Sequence, residues 1–185
     1  YEAFNLFTPL CLAIQFNHVE MLSWLLQQPG LDIQKPCCVG TPLVLACEHA
    51  SVVIVDLLLE NGAHDSTAII KAKNMQIIDR LLQNGTDINT TDSKGNTLLH
   101  SACNSYGDQV DMVTKLLELG ANANARNKDG ETPLFCAAFG RQVNIATLLL
   151  ERGGADVDAS NSRGNTPLLR SYYPPMLALL LERGA

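Results

Sequence analysis

Aromatic residues are scarce in this sequence, and long apolar runs are absent from it. Phe, Tyr and Trp make up 5% of the 185 residues, whereas 46% of the residues are hydrophobic. A packed core must therefore be built from Leu, Ala, Ile and Val. No apolar run approaches the roughly 18–20 residues that span a membrane, and the first residues lack the basic and apolar pattern of a signal peptide. The sequence predicts no insertion into a membrane.

Clustered positive charge is also lacking. The 13 Lys and Arg residues are scattered singly and are outnumbered by 19 Asp and Glu residues, so that the formal net charge is −6. A nucleic-acid-binding surface needs groups of Lys and Arg to neutralise phosphates. We therefore expect no nucleic-acid partner.

The sequence motifs of common enzymes and metal sites are missing as well. There is no GxGxxG, Walker loop, GxSxG or HExxH motif. No two histidines are spaced i, i+4, and the adjacent Cys37 and Cys38 lack the C-x2-C spacing of a structural zinc site. We expect no catalytic residue, no cofactor and no metal ion, and we interpret Cys37 and Cys38 as exposed loop thiols.

The stretch from Asn127 to Asp158 carries the signals of a turn followed by two helices. Lys128-Asp129-Gly130 is typical of a hairpin turn. Thr132 stands at a helix N-cap position, and Pro133 at the first helical position, where its missing N–H costs nothing. The predicted helices cover residues 134–139 and 144–151.

The same pattern recurs along the whole chain. Its cap threonines are Thr8, Thr41, Thr97, Thr132 and Thr166, which are separated by 33, 56, 35 and 34 residues. The gap of 56 residues is too long for one repeat and too short for two, so a contracted unit must lie within it. We predict a single domain over 1–185, cut from a longer protein, with shortened third and sixth repeats. The six repeats are expected at about 4–36, 37–65, 66–91, 92–126, 127–160 and 161–185.

The repeated residues resemble those of the ankyrin repeat over essentially the whole chain. In the fifth repeat the matching residues are Gly130, Thr132-Pro133-Leu134, Ala137-Ala138, Leu148 to Glu151 and Ala155-Asp156-Val157. The resemblance implies an all-α solenoid of stacked helix-turn-helix units, with short β-hairpin tips on one side and first helices lining a concave face. It also implies that His100, which follows Leu98 where the family has Pro, braces neighbouring turns by hydrogen bonds.

The resemblance further implies that the chain binds a peptide or a folded protein on its tips and concave face. The family's recognition positions are the tip residues that flank the turn glycine and the variable residues that follow the two small ones. Carried over to this sequence, and with the neighbouring aromatic residue Tyr106 added, the predicted binding residues are Phe16, Glu48, His49, Ser93, Lys94, Asn96, Asn104, Ser105, Tyr106, Lys128, Asp129, Glu131, Phe139, Arg163 and Asn165.

For several side chains a binding role competes with a packing role. Phe139 fits a binding hot spot and a core contact equally well. We predict that Trp24, Tyr172 and Tyr173 pack against their own repeats. Asn89, in Leu81…Asp87-Ile88-Asn89, resembles the ankyrin context in which asparagine is β-hydroxylated, but we favour a hydrogen bond within the hairpin loop.

The six cysteines suit a reducing environment. Cys47 and Cys103 take the place of a small Ala in the first helix, and Cys136 takes the place of a Leu, as buried free thiols do. We therefore expect reduced thiols, a cytoplasmic or nuclear location, and a monomer in isolation.

Two hypotheses about function follow. In the first, the chain is a non-enzymatic module that binds a protein partner. In the second, it is a regulatory or assembly region that packs against an enzyme or channel domain of the same longer protein. The apolar residues Tyr1, Phe4 and Phe7 would separate the two, because an upstream domain would bury them. The shortened third repeat is predicted to be the weakest joint of the stack.

Overall fold

The computed structural model describes residues 8–37, 40–49, 51–105, 107 and 109–185. The chain divides into two compact units, a first unit over residues 1–87 and a second unit over residues 88–185. The helices of the first unit are α1 (Pro9–Gln15), α2 (Val19–Leu26), α3 (Pro42–Glu48), α4 (Val52–Glu60), a 3₁₀ helix (Ser66–Lys71) and α5 (Met75–Gln83). The helices of the second unit are α6 (Leu98–Cys103), α7 (Val110–Glu118), α8 (Pro133–Phe139), α9 (Val143–Glu151), α10 (Pro167–Arg170) and α11 (Pro174–Glu182).

The first helices begin where the sequence places them. Each cap threonine accepts a hydrogen bond from the backbone N–H three residues ahead, at 3.2–3.5 Å. Proline occupies the start of α1, α3, α8 and α10. The prediction of threonine caps followed by proline is therefore confirmed, and the caps place five first helices at the same register in their repeats.

Helix pairs stack on one another within each unit. In the first unit, α3 packs on α1 and on the 3₁₀ helix, and α4 packs on α2 and α5. In the second unit, α8 packs between α6 and α10, and α9 between α7 and α11. The buried core consists mainly of Leu, Ile, Val and Ala side chains. This architecture confirms the predicted all-α solenoid class.

The predicted β-hairpin tips are turns rather than paired strands. Within the described ranges no β-strand forms, and an isolated bridge pairs Cys37 with Gly40. Cys37 is also 8% exposed, which corrects the interpretation of this residue as an exposed loop thiol. Cys38 lies outside the described residues.

The third repeat departs from the others at its first helix. Its short helix is 3₁₀ rather than α, and its cap is Asp65 instead of a threonine. The Asp65 carboxylate accepts hydrogen bonds from the Thr67 N–H at 2.9 Å and from the Thr41 hydroxyl at 2.8 Å. Asp65 therefore ties the start of this helix to the cap of the preceding repeat.

Two aromatic residues that were predicted to pack are exposed instead. Trp24 on α2 is 60% exposed, and Tyr172 is 81% exposed. Met21, on the same helix as Trp24, is 44% exposed, whereas its counterpart Ile54 on α4 is fully buried. The difference arises because α4 packs on α2, while no described helix precedes α1 and α2.

We expect the 3₁₀ helix to be the least protected of the first helices in amide hydrogen exchange. Its i→i+3 hydrogen bonds have poorer geometry than those of an α-helix, so local opening should cost less free energy. Exchange measured by mass spectrometry should be at least about tenfold faster at residues 69–72 than at residues 134–138. Equal protection of the two segments would contradict this expectation.

Candidate functional site

In each tip of the second unit, one side chain accepts the hydrogen bonds that hold the turn. The Asn127 amide oxygen accepts hydrogen bonds from the N–H groups of Asp129 at 3.0 Å and Glu131 at 2.9 Å. Asp92 does the same for Lys94 and Asn96 in the fourth repeat. Asn161 repeats the arrangement in the sixth repeat. Because these bonds fix the turn, they also fix the directions of the exposed tip side chains.

Neighbouring tips of the second unit are joined through their backbones. The Lys128 N–H donates to the Lys94 carbonyl at 2.9 Å, and the Ser162 N–H donates to the Asp129 carbonyl at 2.8 Å. The approach is close at the turn glycines. A Cβ atom on Gly130, which has φ of +75°, would lie 2.8 Å from the Ser162 nitrogen. Glycine is therefore required there both for the turn and for the contact between repeats.

His100 braces two of these tips from inside the unit. Its side chain is 2% exposed. Its Nδ1 accepts a hydrogen bond from the Thr97 N–H at 3.2 Å, which leaves the proton on Nε2 to donate to the Glu131 carbonyl at 3.1 Å. Burial lowers the pKa of this imidazole. The structural role expected of His100 is thus confirmed by its hydrogen bonds.

A polar groove runs between the fourth and fifth repeats, from the tips along α6 and α8. Its volume is about 460 Å³. The residues that line it are Lys94, Asn96, His100, Ser101, Asn104, Ser105, Asn127, Asp129, Glu131 and Cys136. The groove thus brings together six of the residues that the sequence predicts to bind a partner, namely Lys94, Asn96, Asn104, Ser105, Asp129 and Glu131.

The other predicted binding residues lie elsewhere. Ser93, Lys128, Arg163 and Asn165 occupy the tips of the second unit, where all but the half-buried Asn165 are exposed. Tyr106 lies outside the described residues. Phe16, Glu48 and His49 belong to the first unit, at the ends of α1 and α3.

Phe139 lies at the end of α8 with a charged neighbour above its ring. It is 54% exposed, and the Arg170 guanidinium carbon lies 4.1 Å from its ring centre. This geometry is a cation–π contact. Phe139 is therefore not a core residue. Arg170 was not among the predicted residues, because its partner lies 31 positions away in the sequence.

Asn89 bridges two repeats of the second unit rather than bonding only within its own loop. Its amide donates to the Gly120 carbonyl at 3.3 Å and accepts from the Asn122 N–H at 2.8 Å. Asn124 makes the equivalent bonds to Gly154 and Asp156. The sequence predicts hydrogen bonds within the hairpin loop, whereas these bonds reach the next repeat.

The cysteine thiols of the second unit are protonated at neutral pH. Burial raises the pKa of Cys136 to about 12 and raises the pKa of Cys103 further above its usual range. Cys136 therefore lines the groove without being a nucleophile. All five described cysteines are free thiols, namely Cys11, Cys37, Cys47, Cys103 and Cys136.

Neither a metal cluster nor a membrane-spanning helix is present in the described part of the chain. No group of three or more His, Cys, Asp and Glu residues there is arranged to hold a metal ion. No helix there has the length and apolar character needed to cross a membrane.

Comparison with known proteins identifies the fold. The family model "Ankyrin repeats (3 copies)" matches residues 2–68, 66–161 and 104–185. The chain belongs to the ankyrin-repeat family. Such repeats are generally modules for protein–protein interaction. Among solved structures, the human ASB11 ankyrin repeat domain superposes with a TM-score of 0.83 at 29% identity, over 99% of this chain and 86% of that one.

Curated relatives contain these repeats in longer chains. Human Ankyrin repeat and SOCS box protein 6 is 32% identical over 172 residues, which are 84% of this chain and 38% of the relative. Glycerophosphocholine phosphodiesterase gde1 of Schizosaccharomyces pombe is 35% identical over 164 residues, or 87% of this chain and 12% of the relative. The chain spans less than half the length of the curated relatives it matches first.

Proposed function

We propose that this ankyrin-repeat chain is a non-enzymatic module that binds a protein partner through the tip and first-helix surface of its second unit. We define this surface by the tips at 92–96, 127–131 and 161–165 together with α6, α8 and α10. The partner is a peptide or a folded protein. The free, buried thiols fit a cytoplasmic or nuclear location.

The convergence of side chains around one groove carries this proposal. Six residues chosen from the sequence pattern line the same 460 Å³ groove. Side-chain and inter-repeat hydrogen bonds hold the backbones of the tip residues among them, which are Lys94, Asn96, Asp129 and Glu131. Such preorganisation lowers the entropy lost on binding. Amide and hydroxyl groups of Asn96, Ser101 and Asn104 offer donors and acceptors to a partner's backbone.

A regulatory or assembly role within one longer chain is the second candidate. One relative that contains a similar segment is by name a phosphodiesterase, and the segment makes up 12% of it. The same surface would then contact a domain of the same protein, and this chain would still contribute no catalytic residue.

A comparative pull-down from native cells tests the proposal. The bait carries Lys94→Ala, Lys128→Ala and Phe139→Ala, and it is compared with the unmodified chain by quantitative mass spectrometry. A matched control carries Arg152→Ala at the exposed end of α9. We expect the variant to lose about tenfold or more of the specifically bound proteins, and the control to keep them. Retention of every partner by the triple variant would overturn the proposal.

A further inference from the structure

We propose that the helix end of this surface recognises an acidic linear segment of the partner, with a carboxylate bound to Arg170 beside an apolar side chain on Phe139. This inference rests on the proposed function and adds the chemistry of the partner. It concerns a small patch of the second unit, the arginine–aromatic patch, which we define as Phe139, Arg141, Arg170 and Tyr173.

The helices that carry this patch, α8 to α11, hold charge of one sign near it. Between Glu131 and Glu151 the sequence holds a single charged residue, Arg141, and between Arg163 and Glu182 it holds only Arg170. Helices α8 to α11 and their turns thus bring two cations to this end of the surface. Their carboxylates, Glu151 and Glu182, stand at the last residues of α9 and α11. The chain as a whole has a formal net charge of −6, so the positive charge of this patch is opposite in sign to the charge of the whole chain.

Arg141 is exposed and Arg170 is half-buried, and neither guanidinium is held by an ion pair among the described residues. The described residues form three ion pairs, which are Arg80–Asp56, Lys115–Glu118 and Arg183–Glu151. Neither Arg141 nor Arg170 belongs to one of them. Arg141 is exposed in the turn after α8, where its φ is +60°. An exposed guanidinium with free N–H groups is the side chain best suited to bidentate binding of a carboxylate.

The aromatic ring orients one of these groups in advance. Arg170 stacks on Phe139 with 4.1 Å between the guanidinium carbon and the ring centre. Stacking occupies one face of the guanidinium plane and leaves its N–H edges pointing sideways, where a carboxylate binds. Since the stacked side chain has less rotamer freedom, less entropy is lost when a partner binds.

The patch also provides space beside the charges. A cavity of about 410 Å³ is lined by Arg141, Gln142, Val143 and Tyr173, together with residues of the fourth repeat. Phe139, which precedes Arg141 by two residues in the sequence, is 54% exposed. Buried aromatic and arginine anchors dominate binding energy at interfaces. An apolar partner residue that covers the Phe139 ring would also exclude water from the Arg170–carboxylate pair and strengthen it.

The tip end of the surface has a different character. There Lys94 shares the groove with the carboxylates of Asp129 and Glu131. Acidic partner residues are thus favoured at the helix end and opposed near Asp129. This polarity predicts the direction in which an extended segment lies, with its carboxylates toward the ends of α8 and α10.

Selection from a random 12-residue peptide library displayed on phage tests the inference with the intact chain. We expect enriched peptides to carry Asp or Glu adjacent to a large apolar residue. Binding of a selected peptide, measured by fluorescence polarisation, should weaken about tenfold or more with Arg170→Gln and less with Arg170→Lys. It should also weaken as salt is raised from about 50 to about 500 mM.

Control variants separate the inference from the function beneath it. Arg152→Gln removes an equal charge at the end of α9 and should leave the peptide affinity unchanged, and circular dichroism should show all variants folded. Enrichment of basic or uncharged peptides whose binding still depends on Phe139 overturns the acidic specificity and leaves the proposed function standing. If the selection enriches no peptide, the proposal that the partner segment is linear and acidic is overturned. Peptides that bind irrespective of every variant on this surface overturn both proposals.

Discussion

Replacing Gly130 by Ala is expected to destabilise the second unit by about 1–3 kcal/mol more than replacing Gly164 by Ala. Both glycines stand at the same place in their tips, with φ of +75° and +78°, so both alanines incur the cost of about 1–2 kcal/mol for a left-handed residue. Of these two glycines only Gly130 meets another repeat, because a Cβ atom on Gly130 would lie 2.8 Å from the Ser162 nitrogen, whereas a Cβ atom on Gly164 would meet no atom within 4 Å. Gly164 is therefore a matched control.

Urea unfolding followed by circular dichroism measures this difference as a change in the free energy of unfolding. Amide exchange at the tips should locate the loss for Gly130→Ala at residues 127–131 and 161–165. Equal losses for the two variants would show that the backbone conformation alone, and not the contact between repeats, requires glycine.

Replacing His100 by Ala should lower the free energy of unfolding by about 2–4 kcal/mol at pH 7.5. The substitution removes a buried ring and leaves the Thr97 N–H and the Glu131 carbonyl without their histidine partner. Gln is the milder replacement, because its amide retains one donor and one acceptor.

The unmodified chain should have a higher free energy of unfolding than His100→Gln, and this difference should shrink as the pH falls from about 7.5 to about 5. Burial lowers the pKa of His100 in the folded state below its unfolded value of about 6.5. The unfolded chain therefore binds the proton more readily, and the stabilisation that is present above the unfolded pKa is lost as the pH falls toward the folded pKa. Protonation would also remove the acceptor that Thr97 uses. Chemical unfolding of both proteins across this range checks the sign, and a constant or widening gap would contradict it.

The parts of the fold that depend on local rules could be predicted from the sequence. Threonine caps, proline at the first helical position and the positive-φ glycine of each tip act within a few residues, so they identify the first helices and the register of the repeats. The role of His100 was implied by the family resemblance, since its bond to Thr97 is local but its bond to Glu131 spans 31 residues.

The predictions that were wrong concern residues whose surroundings are set by contacts distant in the sequence. Trp24 was predicted to pack because it stands where second helices normally present a core-facing Leu. Its counterparts Leu57 and Leu148 are half-buried, and packing of that face requires a preceding helix pair, of which none is described. Asp65 caps the 3₁₀ helix of the third repeat, where the sequence has no cap threonine, and it also accepts a hydrogen bond from Thr41, 24 residues away. The capping role of Asp65 has a local signal, because Asp is a preferred N-cap residue, but its contact with Thr41 and the exposure of Trp24 have none.

The arginine–aromatic patch shows how register could recover such contacts. Arg170 stands at the same position in its repeat as Ser101 and Cys136, which both line the groove. It is also the only charge between Arg163 and Glu182. A comparison of equivalent positions among repeats, rather than of neighbours in sequence, would have placed it next to Phe139.

Hydrogen exchange of the chain with and without a partner captured in the pull-down tests directly whether the partner covers the tips and first helices of the second unit. We predict that a bound partner slows exchange at the tips 92–96, 127–131 and 161–165 and along α6, α8 and α10. The second helices α7, α9 and α11 should be unaffected. Protection confined to those second helices, with the tips and first helices unchanged, would contradict it.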